Sequence, residues 1–215
     1  MVIYLYKGGI TMSEINIKAM YKLSYGLFLL TAPDGEKSNG CIINTCIQVT
    51  ETPKQISVCV NKTNYTAELI SKTKKLAVSV LTTSVPFSVF ERFGFQSGRD
   101  ADKFSGFTAY SLTQSGLPYL TENCNAFFEA NVTQEIDCGT HIMFIAEVTQ
   151  AEVLSDEASV TYEYYFANIK PKPKASKKKG YVCKICGYVH DSEELPPDFV
   201  CPWCKHGAED FEPIK

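Results

Sequence analysis

From Ile15 onward, apolar and polar positions fall into short blocks separated by turn residues. Residues 17–23 carry apolar side chains at helical spacing and predict a short amphipathic helix. Residues 26–31 form an apolar run that reads as a buried strand, ended by Ala32-Pro33-Asp34-Gly35. The stretch 39–50 predicts a second strand, stopped before Pro53, and 56–61 a third. Asn64 is placed to cap a short helix over 65–70. Residues 76–81 alternate as a strand, and 86–95 predict an aromatic helix followed by a loop at 97–100. Two longer runs, 126–136 and 140–153, flank Asp137-Cys138-Gly139 and predict a hairpin. Many short strands with few helices indicate a mainly β chain built as an antiparallel barrel.

The pattern changes at Lys170. Residues 170–179 hold six Lys and two Pro, with no apolar side chain larger than Ala. Proline stiffens such a segment and like charges extend it, so it reads as a linker. The expected organisation is an N-terminal extension (1–14), a large domain (15–168), the linker (169–179) and a small domain (180–215). Met12 is the expected natural start; the alternative is an extra strand from the apolar residues 2–6. The linker separates two acidic regions, and the whole chain has a net charge of −3. That balance argues against a nucleic-acid partner. With 45% hydrophobic residues and no apolar run near the roughly 20 residues of a membrane helix, the chain reads as soluble. Five of its cysteines (Cys41, Cys46, Cys59, Cys124 and Cys138) lack framework spacing and read as reduced thiols of a cytoplasmic protein.

The other four cysteines are organised. Cys183-Lys-Ile-Cys186 and Cys201-Pro-Trp-Cys204 are two Cys-x-x-Cys turns separated by 14 residues. Each turn brings two thiolates to one ion, and two facing turns complete a tetrahedron. Spacing alone suits zinc or iron. The flanking residues favour iron: Gly187 lets the backbone bend, and Tyr188, Trp203 and Phe211 can form an aromatic shell. Burial and N–H···S bonds are the levers that tune such a centre.

Residues 181–214 resemble a rubredoxin domain of the shortened type found at the C-terminus of rubrerythrins. The large domain contains no G-x-G-x-x-G, P-loop or G-x-S-x-G. Over residues 20–165 it resembles the flavin reductase family, homodimeric split β-barrels that bind FMN. The resemblance rests on Tyr25-Gly26 through Thr31, Asn39-Gly40 through Thr50, and Asn61-Lys62-x-Asn64-Tyr65-Thr66. It continues with Phe93-Gly94-Phe95-x-Ser97-Gly98-Arg99-Asp100-x-x-Lys103-Phe104, Gly139-Thr140-His141 and Thr161-Tyr162-x-Tyr164-Tyr165. It implies an FMN-binding split β-barrel with short helices, plus a small rubredoxin-like metal domain with four cysteine ligands.

The resemblance also implies a site. Lys62, Arg99 and Lys103 are candidates to pair with the FMN phosphate. Thr50, Thr66 and Thr45 would supply hydroxyls, Asn44 to Cys46 backbone bonds to the isoalloxazine edge, and Asn61 a further contact. His141 would stand near the flavin or the hydride donor as the candidate catalytic residue. Taken singly, each Thr fits a strand face and each Lys a solvated surface. FMN and an Fe(Cys)4 centre on Cys183, Cys186, Cys201 and Cys204 would carry electrons from NADH or NADPH to a protein acceptor. The architecture resembles the high-molecular-weight rubredoxins of anaerobes, whose acceptors are flavodiiron oxygen or nitric oxide reductases. Two alternatives remain open at this point: a flavoredoxin-like carrier that does not oxidise NAD(P)H, and a flavin-binding protein with a structural zinc ribbon.

Overall fold

The computed structural model describes residues 17–171, 180–184, 187–201 and 207–214. The expected start at Met12 and most of the Lys/Pro linker lie outside them. A 3-10 helix, Ile17–Lys22, stands where the amphipathic helix was expected. Nine strands and two helices follow: β1 (Phe28–Asp34), β2 (Lys37–Ile43), β3 (Cys46–Thr50), β4 (Gln55–Asn61), α1 (Tyr65–Thr73), β5 (Lys75–Leu81), α2 (Phe87–Gly94), β6 (Tyr110–Leu112), β7 (Pro118–Leu120), β8 (Cys124–Asp137) and β9 (His141–Val153). Seven of the strands form one antiparallel sheet in the order β2-β1-β5-β8-β9-β4-β3.

The continuous apolar run in β1 has a physical cause, because both of its faces are covered. Leu30 and Ala32 point into the barrel core with Val58, Ile70, Val78 and Phe144. Leu29 points outward into a second core with Leu81, Phe90 and Phe93, where α2 packs. Helix α1 starts at Asn64, whose side chain accepts from the Thr66 N–H, and buries Ala67, Leu69 and Ile70. This cap is the one its sequence position predicts.

The structure divides the expected 39–50 strand in two. β2 pairs with β1 at one edge of the sheet, and β3 pairs with β4 at the other. The chain crosses between them at Asn44-Thr45. There the Thr45 hydroxyl donates to the Cys59 carbonyl at 2.9 Å, and the Thr45 carbonyl accepts from the Cys59 N–H at 3.2 Å. The apolar pattern continues through the crossing because both halves are strand, so periodicity carries no sign of it. Two further elements were not expected. The β6–β7 hairpin turns through Gly116 at φ +83°. A helical turn, α3 (Tyr162–Tyr164), continues as a π-helical turn, Tyr165–Ile169.

A buried polar network lies behind β2. Lys103 is 3% exposed, and its Nζ donates to the carbonyls of Gly40 at 2.8 Å and Phe93 at 3.1 Å. Burial lowers its pKa and raises that of the neighbouring Cys41 thiol. Asn39 donates from Nδ2 to the Thr66 hydroxyl at 2.9 Å. Gly98 closes over Asn39, and a Cβ at that position would sit 2.1 Å from Asn39 Oδ1. Gly98→Ala is therefore expected to displace Asn39 and lose its bond to Thr66. The cost should be about 1–2 kcal/mol, read as a lower midpoint in urea.

The small domain is a three-stranded sheet in the order β11-β10-β12, formed by β10 (Tyr181–Cys183), β11 (Val189–His190) and β12 (Phe211–Pro213).

Candidate functional site

One cavity of about 280 Å³ opens where β2, β4 and β9 meet α2. Its polar wall holds Asn44, Asn61, Asn64 and His141. The opposite wall is aromatic: Phe90, Phe95, Tyr162, Tyr165 and Phe166. The topology explains this assembly. Asn44 stands at the β2-to-β3 crossing, and Asn61 ends β4 in register with His141, the first residue of β9. Asn61 Oδ1 accepts from the N–H and hydroxyl of Thr63, both at 2.9 Å, which fixes the turn into α1. His141 Nδ1 lies 2.9 Å from the Thr140 hydroxyl. The cavity thus pairs an aromatic lining with a rim of amides and one imidazole, a combination that suits a planar ring with a polar edge.

The remaining candidates take other positions. Thr45 bonds to β4. Cys46 opens β3 and is half-buried, and desolvation pushes its thiol up to about 12, so it stays a neutral SH. Thr50 ends β3 opposite Gln55 and does not line the cavity. Lys62 forms a 2.6 Å ion pair with Asp137, whose carboxyl the Lys62 hydrogen bond holds below the usual range. Arg99 pairs with Glu68 at 2.6 Å and lies 4.7 Å from the centre of the Tyr65 ring. Thr66 and Lys103 belong to the buried network behind β2, and two carbonyls already occupy the Lys103 amine. Phe166 was missed by sequence reasoning. The aromatic cluster from Tyr162 to Phe166 was the available signal, but neither helical nor strand periodicity fits so short a segment.

In the small domain, Cys183 and Cys201 are 1% and 0% exposed and share one cluster with Phe211. Cys186, Cys204 and Trp203 lie outside the described residues. The Cys183 turn is closed by its N–H donating to the Tyr188 carbonyl and by the Gly187 N–H donating to the Cys183 carbonyl, both at 2.8 Å. Gly187 has φ +79°, a conformation that favours glycine. The expected bend is there, with this amide directed to a carbonyl. Tyr188 and Phe211 stand in the aromatic shell with rings 6.5 Å apart, and Phe199, 5.3 Å from Phe211, completes it. Two buried thiols in one cluster, one of them in such a turn, fit a thiophilic metal such as iron or zinc.

A barrel cavity of this composition joined to a cysteine turn defines a class of flavin- and metal-dependent redox proteins. The chain matches the flavin reductase like domain over residues 20–172 and the rubrerythrin, rubredoxin-like domain over 181–212. It belongs to the flavin reductase-like family, as an oxidoreductase with a C-terminal rubredoxin-like domain. It is 38% identical to the high molecular weight rubredoxin of Moorella thermoacetica, an alignment covering 93% of this chain and 100% of that one. It is also 38% identical to the ferric-chelate reductase (NAD(P)H) of Archaeoglobus fulgidus, over 74% of this chain and 93% of that one. The NADH:FAD oxidoreductase of Streptomyces globisporus C-1027 has the same fold, with a TM-score of 0.61 at 20% identity over 66% of this chain and 83% of that one. Among the described residues, no helix is long and apolar enough to cross a membrane.

Proposed function

We propose that the chain passes electrons from NADH or NADPH through FMN to an Fe(Cys)4 centre and on to a protein acceptor, a flavodiiron oxygen or nitric oxide reductase. The observation that carries this reading is the union of the Asn44–Asn61–His141 cavity with the buried Cys183–Cys201 cluster in one chain. Similarity to a high molecular weight rubredoxin and to a ferric-chelate reductase using NAD(P)H supports it. When bound, the flavin supplies hydride acceptance with single-electron release, and the iron supplies one-electron transport.

The residues hold and orient. Asn44 and Asn61 present amides to the polar edge of the ring. The phosphate is assigned to the turn at Asn64, where α1 begins and its N-terminal N–H groups favour an anion. Phe95, Tyr162 and Tyr165 exclude water from the apolar face. His141, held by Thr140, orients the nicotinamide. Cys183, Cys186, Cys201 and Cys204 are the proposed iron ligands. Five barrel thiols stand unpaired, which supports a reducing compartment such as the cytoplasm.

A homodimer is part of the proposal. Strand β3 ends the sheet and exposes Ile47 at 64% and Val49 at 44%, and Ile136 on β8 is 41% exposed. An open strand edge with apolar side chains is suited to cover by a second copy. Sedimentation should give a dimer, and Ile47→Lys should shift it toward monomer.

Anaerobically purified protein tests both cofactors together. The expected result is one FMN per chain on extraction and one iron with a ferric thiolate spectrum, the flavin bleaching when NADH or NADPH is added. Recovery of FAD would overturn the flavin assignment, and a colourless zinc protein would overturn the relay. A flavin that is bound yet inert to both nucleotides would favour the flavoredoxin-like alternative. His141→Ala is expected to raise the KM for the nucleotide about tenfold, the equivalent of roughly 1.4 kcal/mol, and to change flavin affinity far less.

A further inference from the structure

Two aromatic residues of the flavin cavity also face the small domain. Phe95 lines the cavity and packs in the outer barrel core, with its ring 5.9 Å from that of Phe87. It packs as well against the cluster of Cys183, Cys201 and Phe211. Phe95 thus takes part in the packing of both domains. Phe166 lines the cavity on one side and, on the other, a second cleft of about 210 Å³. Lys170, Val182, Cys183, Lys184, Gly187 and Glu212 are among the other residues that line that cleft. Lys170 Nζ lies 4.5 Å from the centre of the Phe166 ring, and its Cε would lie 3.4 Å from a Cβ on Gly187. Cys183 and Gly187 are thus set against the rim of the flavin cavity of their own chain.

We propose that Phe95, Phe166 and Lys170 form a seat on which the small domain docks in cis, placing its metal for electron exchange with the flavin. This inference rests on the relay reading above. Electron tunnelling falls steeply with distance and needs proximity but no bond, and the seat supplies that proximity. The apolar contact is small, a few side chains, so it suits reversible docking rather than a fixed joint. Lys170 is the first residue of the Lys/Pro run, which fixes where the tether begins. One hydride delivers two electrons. Two successive single-electron reductions of ferric to ferrous iron consume them, and the remaining proton passes to solvent. Between the two reductions the small domain must discharge its electron to an acceptor, which requires it to leave the seat or expose its outer face.

Carbodiimide coupling in the full holo chain tests the seat directly. Lys170 and Glu212 share the cleft and should become cross-linked, with the Lys62–Asp137 ion pair as the internal control. Mixing isotopically light and heavy chains separates cross-links within one chain from those between chains. Same-label Lys170–Glu212 products are expected. Mixed-label products only, or none while the Lys62–Asp137 control couples, would overturn docking in cis. Stopped-flow kinetics test the positioning role. Lys170→Glu sets a carboxylate beside Glu212 and removes the cation from Phe166. Nucleotide-driven bleaching of the flavin should keep its parent rate, and iron reduction should slow at least tenfold. An unchanged iron rate in Lys170→Glu would overturn the positioning role. If iron in the parent chain is never reduced, the relay itself fails, and the cross-link then reports a structural seat alone.

Discussion

Cys201→Ser is expected to remove the ferric thiolate spectrum and stop electron delivery to a protein acceptor while the flavin stays bound. Cys201 is fully buried in one cluster with Cys183 and Phe211. A serine there replaces a soft thiolate with a hard, weakly acidic hydroxyl inside an apolar cluster, a poor ligand for the metal. Metal content and the visible spectrum should both change. The flavin cavity draws its residues from 27 to 166, before the Lys/Pro run, so flavin content and nucleotide-driven bleaching should match the parent. Acceptor reduction should fall by more than tenfold. Delivery at the parent rate would show that the small domain is a structural staple. Loss of flavin together with the metal would show that the seat at Phe95 and Phe166 carries more of the cavity's stability than its size suggests.

The sequence exposed the parts of this molecule whose signal is local. The bend at Gly187, the Asn64 cap and the β8–β9 hairpin each depend on residues close in the chain, and each was readable there. The cavity depends on crossings. Asn44, Asn61 and His141 lie far apart in sequence and meet because β2 and β3 take opposite edges of one sheet. Family order singled them out as candidates; only the register of β4 on β9 sets Asn61 beside His141. The same limit explains the candidates that lie elsewhere. Lysine in a loop reads as surface charge or as a phosphate ligand, and nothing in the pattern around Lys103 announces that its amine is buried under α2. Phe95 reads as the end of an aromatic helix and Phe166 is not singled out at all, because a one-dimensional pattern has no term for a side chain shared by two domains.

Lys103→Met should destabilise the large domain by about 2–4 kcal/mol, although methionine matches the volume of the lysine stem. The reason is hydrogen bonding. Nζ satisfies the carbonyl of Gly40 on β2 and that of Phe93 in the last turn of α2, and both would be left unpaired in a buried site. At about 2–4 °C per kcal/mol for a chain of this size, the midpoint should fall by about 4–16 °C. The pH dependence separates this role from simple packing. Burial lowers the folded pKa of Lys103 from its ordinary value of 10.5. Between the lowered value and the unfolded one, the unfolded chain binds more protons, so this group makes stability rise with pH across that alkaline window. Cys41, raised by burial, acts with the opposite sign but is present in both proteins. Parent stability minus variant stability should therefore increase as pH rises toward the unfolded lysine value. The α2 end that Lys103 holds carries Gly94 and Phe95 into the flavin cavity. Flavin retention should consequently weaken in Lys103→Met through a displaced wall, and the loss should be the same for riboflavin as for FMN. A loss confined to FMN would instead make Lys103 a phosphate ligand and require its amine to leave both carbonyls when the flavin binds.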